Sequence, residues 1–214
     1  MSTERTSIVA ADEVSLEAEV DEPVQARAAL ILCHPHPQMG GTMNAPLLLA
    51  LRDEQIERGW AVIRFNFRGI GASEGRSSTG IDEVMDATGA VMFARTRWPR
   101  LPVAIAGWSF GAAVAVRMAS RDEQLAACVA IAPSIKPKPG ITAGVPGGAE
   151  LALEVPLLVV CAANDELVDP EDVAAWTRDV DGAELVVVPG ANHFFWAMYD
   201  KLADTVADWL DERL

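Results

Sequence analysis

The chain lacks the features that mark several large protein classes. Its 214 residues include only three cysteines, Cys33, Cys128 and Cys161, each within an apolar, strand-like segment. A disulfide framework needs an even and denser set, so these read as buried thiols and the expected location is cytoplasmic. Long apolar runs are missing too. The longest, Ala28–Cys33, Ala45–Leu51 and Pro156–Ala163, fall well short of the roughly 18 residues a membrane helix requires. Met1–Asp12 is polar and mixed in charge, so no secretory signal and no membrane partner are expected. Basic residues are outnumbered, with 17 Lys+Arg against 31 Asp+Glu and a net charge of −14. No Lys/Arg cluster is dense enough to follow phosphates, which argues against nucleic acid as a partner. The acidity reads as a self-repelling surface. Histidine is scarce as well, at His34, His36 and His193. His34-x-His36 is at most half a metal site, so no metal is expected.

What remains is ordinary globular composition, 50% apolar and 22% charged, with length for one domain. Val14, Leu16, Ala18 and Val20 alternate with polar residues, as in a half-exposed antiparallel strand. Arg27–Cys33, apolar from Ala28 onward, reads as a strand buried on both faces. A helix is predicted over Asn44–Arg58, capped by Asn44 and stopped by Gly59, then a strand over Trp60–Phe67. Val84 to Arg95 follow helical spacing up to Pro99. Leu101–Ala106 is predicted as a strand and Phe110–Ser120 as a helix. Strands follow at Ala127–Ile131 and Leu157–Cys161, a helix at Pro170–Asp179, a strand at Leu185–Val188 and a last helix over Phe195–Arg213. This alternation predicts an α/β fold: a mostly parallel sheet with helices on both faces and an antiparallel strand or pair at the N-terminus. One domain covers residues 1–214. The Pro/Gly-rich stretch at 133–150 stands out as an irregular loop, either a flap over a site or a plain surface connection.

Two segments match G-x-S-x-G, Gly71–Gly75 and Gly107–Gly111. The motif is meaningful only where a strand runs through a sharp turn into a helix, so that the serine hydroxyl projects from the sheet edge. Ser109 meets that condition. Ser73 does not, because its flank continues into the loop Arg76–Gly80. A serine hydroxyl needs a base and the base needs an orienting acid. His193 follows the last strand through Pro189-Gly-Ala-Asn192 and is the candidate base. Asp165, beyond the strand Leu157–Cys161, is the candidate acid. Glu166 and Asp169 compete with it, although Asp169 beside Pro170 suits a helix cap better. An oxyanion needs two preorganised N–H donors. Phe110, next after the nucleophile, supplies one. The other is sought in His34–Gly41, where Pro35 and Pro37 cannot donate; His36 is the first choice, with Gln38 or Met39 in reserve. Trp108 and Phe194 flank these positions and are candidates for the wall of an acyl pocket, core packing being the alternative.

These residues resemble the α/β-hydrolase superfamily over about residues 25–214. Five motifs carry the resemblance: His-Pro-His-Pro (34–37), Asn-Phe-Arg-Gly-Ile-Gly-Ala-Ser-Glu-Gly (66–75), Gly-Trp-Ser-Phe-Gly (107–111), Asn-Asp-Glu-Leu-Val (164–168) and Asn-His-Phe-Phe (192–195). Within it, the first motif with Gly-Gly-Thr-Met-Asn (40–44) is similar to small, capless bacterial hydrolases close to dienelactone hydrolases and serine esterases. Many relatives carry His-Gly at the oxyanion loop, whereas proline stands at position 35. The resemblance implies a Ser-His-Asp serine hydrolase that cleaves a small-molecule ester or thioester and uses no cofactor. Acyl transfer by the same residues and a non-catalytic binding module are the alternatives, and the oligomeric state stays open.

Overall fold

In the computed structural model, which describes residues 2–148, 151 and 153–214, eight strands form one sheet in the order β1-β2-β4-β3-β5-β6-β7-β8. The strands are β1 (Ser2–Val9), β2 (Ser15–Glu22), β3 (Ala28–Cys33), β4 (Trp60–Phe65), β5 (Val103–Trp108), β6 (Ala127–Ile131), β7 (Leu157–Ala162) and β8 (Ala183–Val188). β1 pairs antiparallel with β2, and β2 antiparallel with β4. Every other pairing is parallel. The helices are α1 (Pro46–Glu57), α2 (Glu83–Arg97), α3 (Phe110–Ala119), α4 (Pro170–Arg178) and α5 (Tyr199–Asp211). Among the described residues no helix is long and apolar enough to cross a membrane.

Parallel strands covered on both faces must be apolar throughout, because successive side chains point to opposite sides. β3 shows this directly. Ala29, Ile31 and Cys33 pack with α2, α3 and α4 on one face, and Ala28, Leu30 and Leu32 pack with α1 and α5 on the other. β2, nearer the edge, alternates: Leu16, Ala18 and Val20 are buried while Ser15, Glu17 and Glu19 are half-buried. β1 buries only Ile8, which is why its polar sequence reads as a strand only as the partner of β2. All three cysteines are free and buried. Burial pushes the Cys128 thiol up to about 12 and the Cys161 thiol up to about 11.

Several boundaries differ from expectation: β4 ends at Phe65 and not at Phe67, β8 starts at Ala183 and not at Leu185, and three others bear on the site. Asn44 does not cap α1, which starts at Pro46 behind Ala45; its side-chain oxygen instead accepts from Arg64 Nη1 at 2.9 Å. The last helix begins at Tyr199 and not at Phe195, since Phe195 and Ala197 adopt φ of 52° and 60°. β5 starts at Val103 and runs on to Trp108, delivering the chain to the serine that follows.

Two buried arginines hold the sheet edge to the loops at its rim. Arg64 donates to Glu19 at 2.7 Å and to Asp21 at 3.0 Å. Arg68 reaches Asp12 with both Nη atoms at 2.9 Å and Asp86 at 2.7 and 3.0 Å, and its backbone N–H also donates to Asp86 at 2.9 Å. Burial raises the Asp86 carboxyl against the pull of Arg68, whereas the same guanidinium lowers Asp12. Breaking such a pair strands a charge in the interior and costs about 3–5 kcal/mol. Arg68→Ala is therefore expected to lower urea-measured stability by that amount at pH 7. The loss should shrink as the pH is lowered, because burial raises the Asp86 carboxyl and, once protonated, it no longer needs a partner.

Candidate active site

The junction of β5 and α3 places Ser109. Its backbone is held at φ 57°, ψ −111°, a left-handed conformation that costs a non-glycine residue about 1–3 kcal/mol. Neighbouring backbone explains why no relaxed turn fits. A Cβ on Gly107 would collide with the Gly111 carbonyl, and a Cβ on Gly111 would collide with the carbonyls of Cys33 and His34. Hydrogen bonds fix the strained residue from several sides. Ser109 N–H donates to Ile131 O at 2.8 Å, and its carbonyl accepts from Ala112, Ala113 and Ser134 at 3.1–3.3 Å. The side chain thus stands at the C-terminal rim of the parallel strands.

Two further loops bring their side chains to the same rim. His193 Nε2 lies 3.0 Å from Ser109 Oγ, and His193 Nδ1 lies 2.8 Å from Asp165 Oδ2. The second Asp165 oxygen accepts from Leu167 N–H at 2.9 Å and Val168 N–H at 2.8 Å. Carboxylate and imidazole side chains are only 2% and 4% exposed, so water competes little for these bonds. With the carboxylate accepting at Nδ1–H, the Nε2 lone pair faces the serine hydroxyl. The structure therefore brings Ser109, His193 and Asp165 together from three separate loops. It does not bring the competitors into that chain. Asp169 caps α4 through Glu171 N–H at 2.9 Å. Ser73 donates to Asn66 O at 2.7 Å and accepts from Glu17 N–H at 2.9 Å, so its hydroxyl is committed to the loop.

Glu166 has a different task. Its carboxylate accepts the backbone N–H of His193 at 3.2 Å, while Trp108 Nε1 donates to the His193 carbonyl at 3.1 Å. Both backbone groups of the histidine are clamped by side chains. Both positions lie within motifs, Gly-Trp-Ser-Phe-Gly and Asn-Asp-Glu-Leu-Val, yet sequence reasoning missed the clamps because neither motif shows which backbone groups its side chains reach. Asn192 completes the loop by accepting from Phe194 N–H at 3.2 Å.

The 34–41 segment folds into a single 3-10 turn, Pro37–Met39. Gln38 N–H donates to His36 Nδ1 at 3.1 Å, Met39 and Gly41 N–H to His36 O at 3.0 and 3.1 Å, and Gly40 N–H to Pro37 O at 3.2 Å. Gln38 and Met39, the reserve donors, are thereby committed within the turn. Among the described residues the backbone N–H groups of His36 and Phe110 have no protein acceptor. Both imidazoles of the His-x-His pair are also committed. His36 Nε2 donates to Ile141 O at 3.0 Å. His34 Nδ1 donates to Pro35 O at 2.7 Å and its Nε2 accepts from Phe67 N–H at 3.0 Å. Neither ring has a nitrogen left for a metal.

A cleft of about 250 Å³ opens over Ser109 and His193, lined by Pro35, Met39, Trp108, Leu167 and Phe194 among others. Trp108 and Phe194 meet edge to face at 6.2 Å, so both expected wall residues border it. The Pro/Gly-rich stretch is described as far as 148; positions 149 and 150 of the expected 133–150 loop lie outside the described residues. It is tied down by Arg117, which donates to the carbonyls of Ala143 and Gly144, and by Ala143 N–H to Thr79 O at 2.7 Å.

Known proteins share this fold. The model of the family described as serine aminopeptidase, S33, matches residues 24–155. An α/β serine hydrolase homologue from Coxiella burnetii superposes with a TM-score of 0.87 at 31% identity, covering 98% of each chain. An α/β serine hydrolase without lid from Xanthomonas campestris gives a TM-score of 0.85 at 26% identity, over 100% of this chain and 96% of that one. An uncharacterized Rickettsia prowazekii protein is 28% identical over 196 residues, 86% of this chain and 79% of its own length.

His34 makes the rim of the sheet sensitive to acid. Burial lowers its pKa from 6.5 to about 4, and its Nε2 can accept from Phe67 only while unprotonated. A group whose folded pKa lies below its unfolded value gives stability that is complete above pH 6.5 and is lost as the pH falls toward 4. The shift corresponds to about 3 kcal/mol. The stability gap between wild type and His34→Asn, measured by urea unfolding, should narrow by about that amount between pH 7.5 and pH 4. Carboxylates common to both proteins cancel in that difference.

Proposed function

Because the chain belongs to the serine aminopeptidase, S33 family and is a small, capless α/β hydrolase, we propose that it cleaves a carboxylic ester or thioester through an acyl-enzyme on Ser109. The observation that carries this reading is the unbroken chain from Ser109 Oγ through His193 to Asp165, at 3.0 and 2.8 Å. His193 takes the serine proton as Oγ attacks the carbonyl carbon. The carbonyl π electrons move to oxygen, and the resulting oxyanion is received by the N–H groups of Phe110 and His36. Donors of this kind contribute about 2.7–4 kcal/mol each to the transition state. On collapse, His193 Nε2–H protonates the departing alcohol or thiol. It then deprotonates a water that releases the acid and restores Ser109. Asp165 keeps the proton on Nδ1 and stabilises the imidazolium without being protonated itself.

The cleft wall favours an ester over a peptide with a free N-terminus. An aminopeptidase has to receive an α-ammonium, which calls for a carboxylate in the pocket. Among the described residues no Asp or Glu lines this cleft. Its volume, about 250 Å³, is below the usual 300–1,000 Å³ of drug-sized sites and suits a short acyl group.

A fluorophosphonate probe is expected to label Ser109 in the folded protein; absence of that adduct would remove the reading. Ser109→Ala and His193→Ala should each lower kcat by about 10⁶, and Asp165→Ala by about 10⁴. Ser73→Ala should stay close to wild type, and a loss equal to that of Ser109→Ala would shift the nucleophile to Ser73. Across p-nitrophenyl esters of graded length, kcat/KM should peak at short acyl chains, with amino-acid p-nitroanilides inert.

A further inference from the structure

We propose that the His36 side chain is a positioning residue: its imidazole aims the backbone N–H of the same residue at the oxyanion by clamping the 34–41 turn to the 138–142 hairpin. The inference rests on the oxyanion reading above.

The ring is bonded at both ends. Nδ1 accepts from Gln38 N–H at 3.1 Å, which puts the proton on Nε2, and Nε2–H donates to Ile141 O at 3.0 Å. The His36 carbonyl takes the N–H groups of Met39 and Gly41. One residue therefore satisfies three donors of the turn and leaves its own N–H as the group without a protein acceptor. Pro35 and Pro37 flank it, and each restricts the backbone on its side. The turn is stiff inside. What local geometry does not fix is the tilt of the whole turn against α3, on which the distance between the two oxyanion donors depends.

The imidazole controls that tilt. It is nearly buried, and its edge meets the Phe110 ring at 5.1 Å and 65°, so it touches the residue that supplies the other donor. Its far end holds Ile141, whose hairpin closes through Lys138 N–H to Thr142 O at 2.8 Å and Thr142 N–H to Lys138 O at 3.0 Å. Arg117 of α3 anchors the next two carbonyls. The turn is thus braced back onto α3, the helix whose first N–H is the partner donor.

The test separates this from a merely structural role by expressing kcat per Ser109 labelled with a fluorophosphonate, which counts only competent sites. His36→Ala should lower that kcat about 10- to 100-fold, a part of the 10²–10³ seen when an oxyanion donor is removed outright. KM for p-nitrophenyl butyrate should stay within about twofold, since ground-state binding does not use the donor. The inhibition constant of a trifluoromethyl ketone, which forms a tetrahedral adduct, should rise in step with the loss in kcat. His36→Asn keeps an acceptor for Gln38 N–H but is too short to reach Ile141, so it should fall between wild type and alanine; it decides the matter if the alanine variant does not fold. A kcat per labelled site within about twofold of wild type in the folded variants overturns the proposal, whatever their melting temperatures, as does a loss confined to KM. Failure of wild-type Ser109 to label would instead overturn the proposed function.

Discussion

The start of α3 lies so close to the ends of β3 and β5 that only hydrogen fits between them at Gly107 and Gly111. This near-contact sets the rest of the site. It forces Ser109 into its left-handed conformation and raises the hydroxyl above the sheet. It also brings the N-terminal amides of α3 against the loop that leaves β3, so the proposed nucleophile and oxyanion donors arise from one packing event. The strain is sustained by the sheet: Ile131 of β6 accepts the Ser109 amide, and the whole of α3 is buried apart from Arg117. Small residues such as Ala112, Ala113 and Ala115 allow that depth. A bulkier helix would stand farther off and the turn would relax.

Around this junction, precision comes from bonds to backbone. His193 is held by its N–H, its carbonyl and its Nδ1, which leaves one imidazole nitrogen free to face the serine. Asp165 is oriented by two amides of its own loop. His34 and His36 stitch the loop after β3 to Phe67 on one side and to Ile141 on the other. All three histidines of the chain thus stand at the same rim, each with both ring nitrogens engaged and each in a different task.

Much of this was legible in the sequence, and the reasons are specific. The parallel strands could be read because double-sided burial leaves runs such as Leu157–Cys161 without a polar residue. Ser109 separated from Ser73 because strand and helix periodicities abut only at the former. The order of serine, acid and histidine along the chain, with few histidines to choose from, pointed to Asp165 and His193. Less legible were features that depend on tertiary partners. Asn44 has the chemistry of a cap, but buried Arg64 claims its oxygen. Phe195–Met198 continue a helical pattern that two positive φ values interrupt. Glu166 has the type and proximity of an orienting acid, yet only the fold reveals that it faces the backbone of His193. β1 is too polar to announce itself without β2 beside it.

The shallow cleft over Ser109 also bears on the second half of the proposed cycle. Its mouth carries exposed Met39 and Leu167, and the neighbouring Pro/Gly-rich segment is tied down by Arg117. An acyl group on Ser109 would therefore reside beside bulk solvent, where the nucleophile needed for its release is always at hand. Release of the acid would then need no cover to open over the ester.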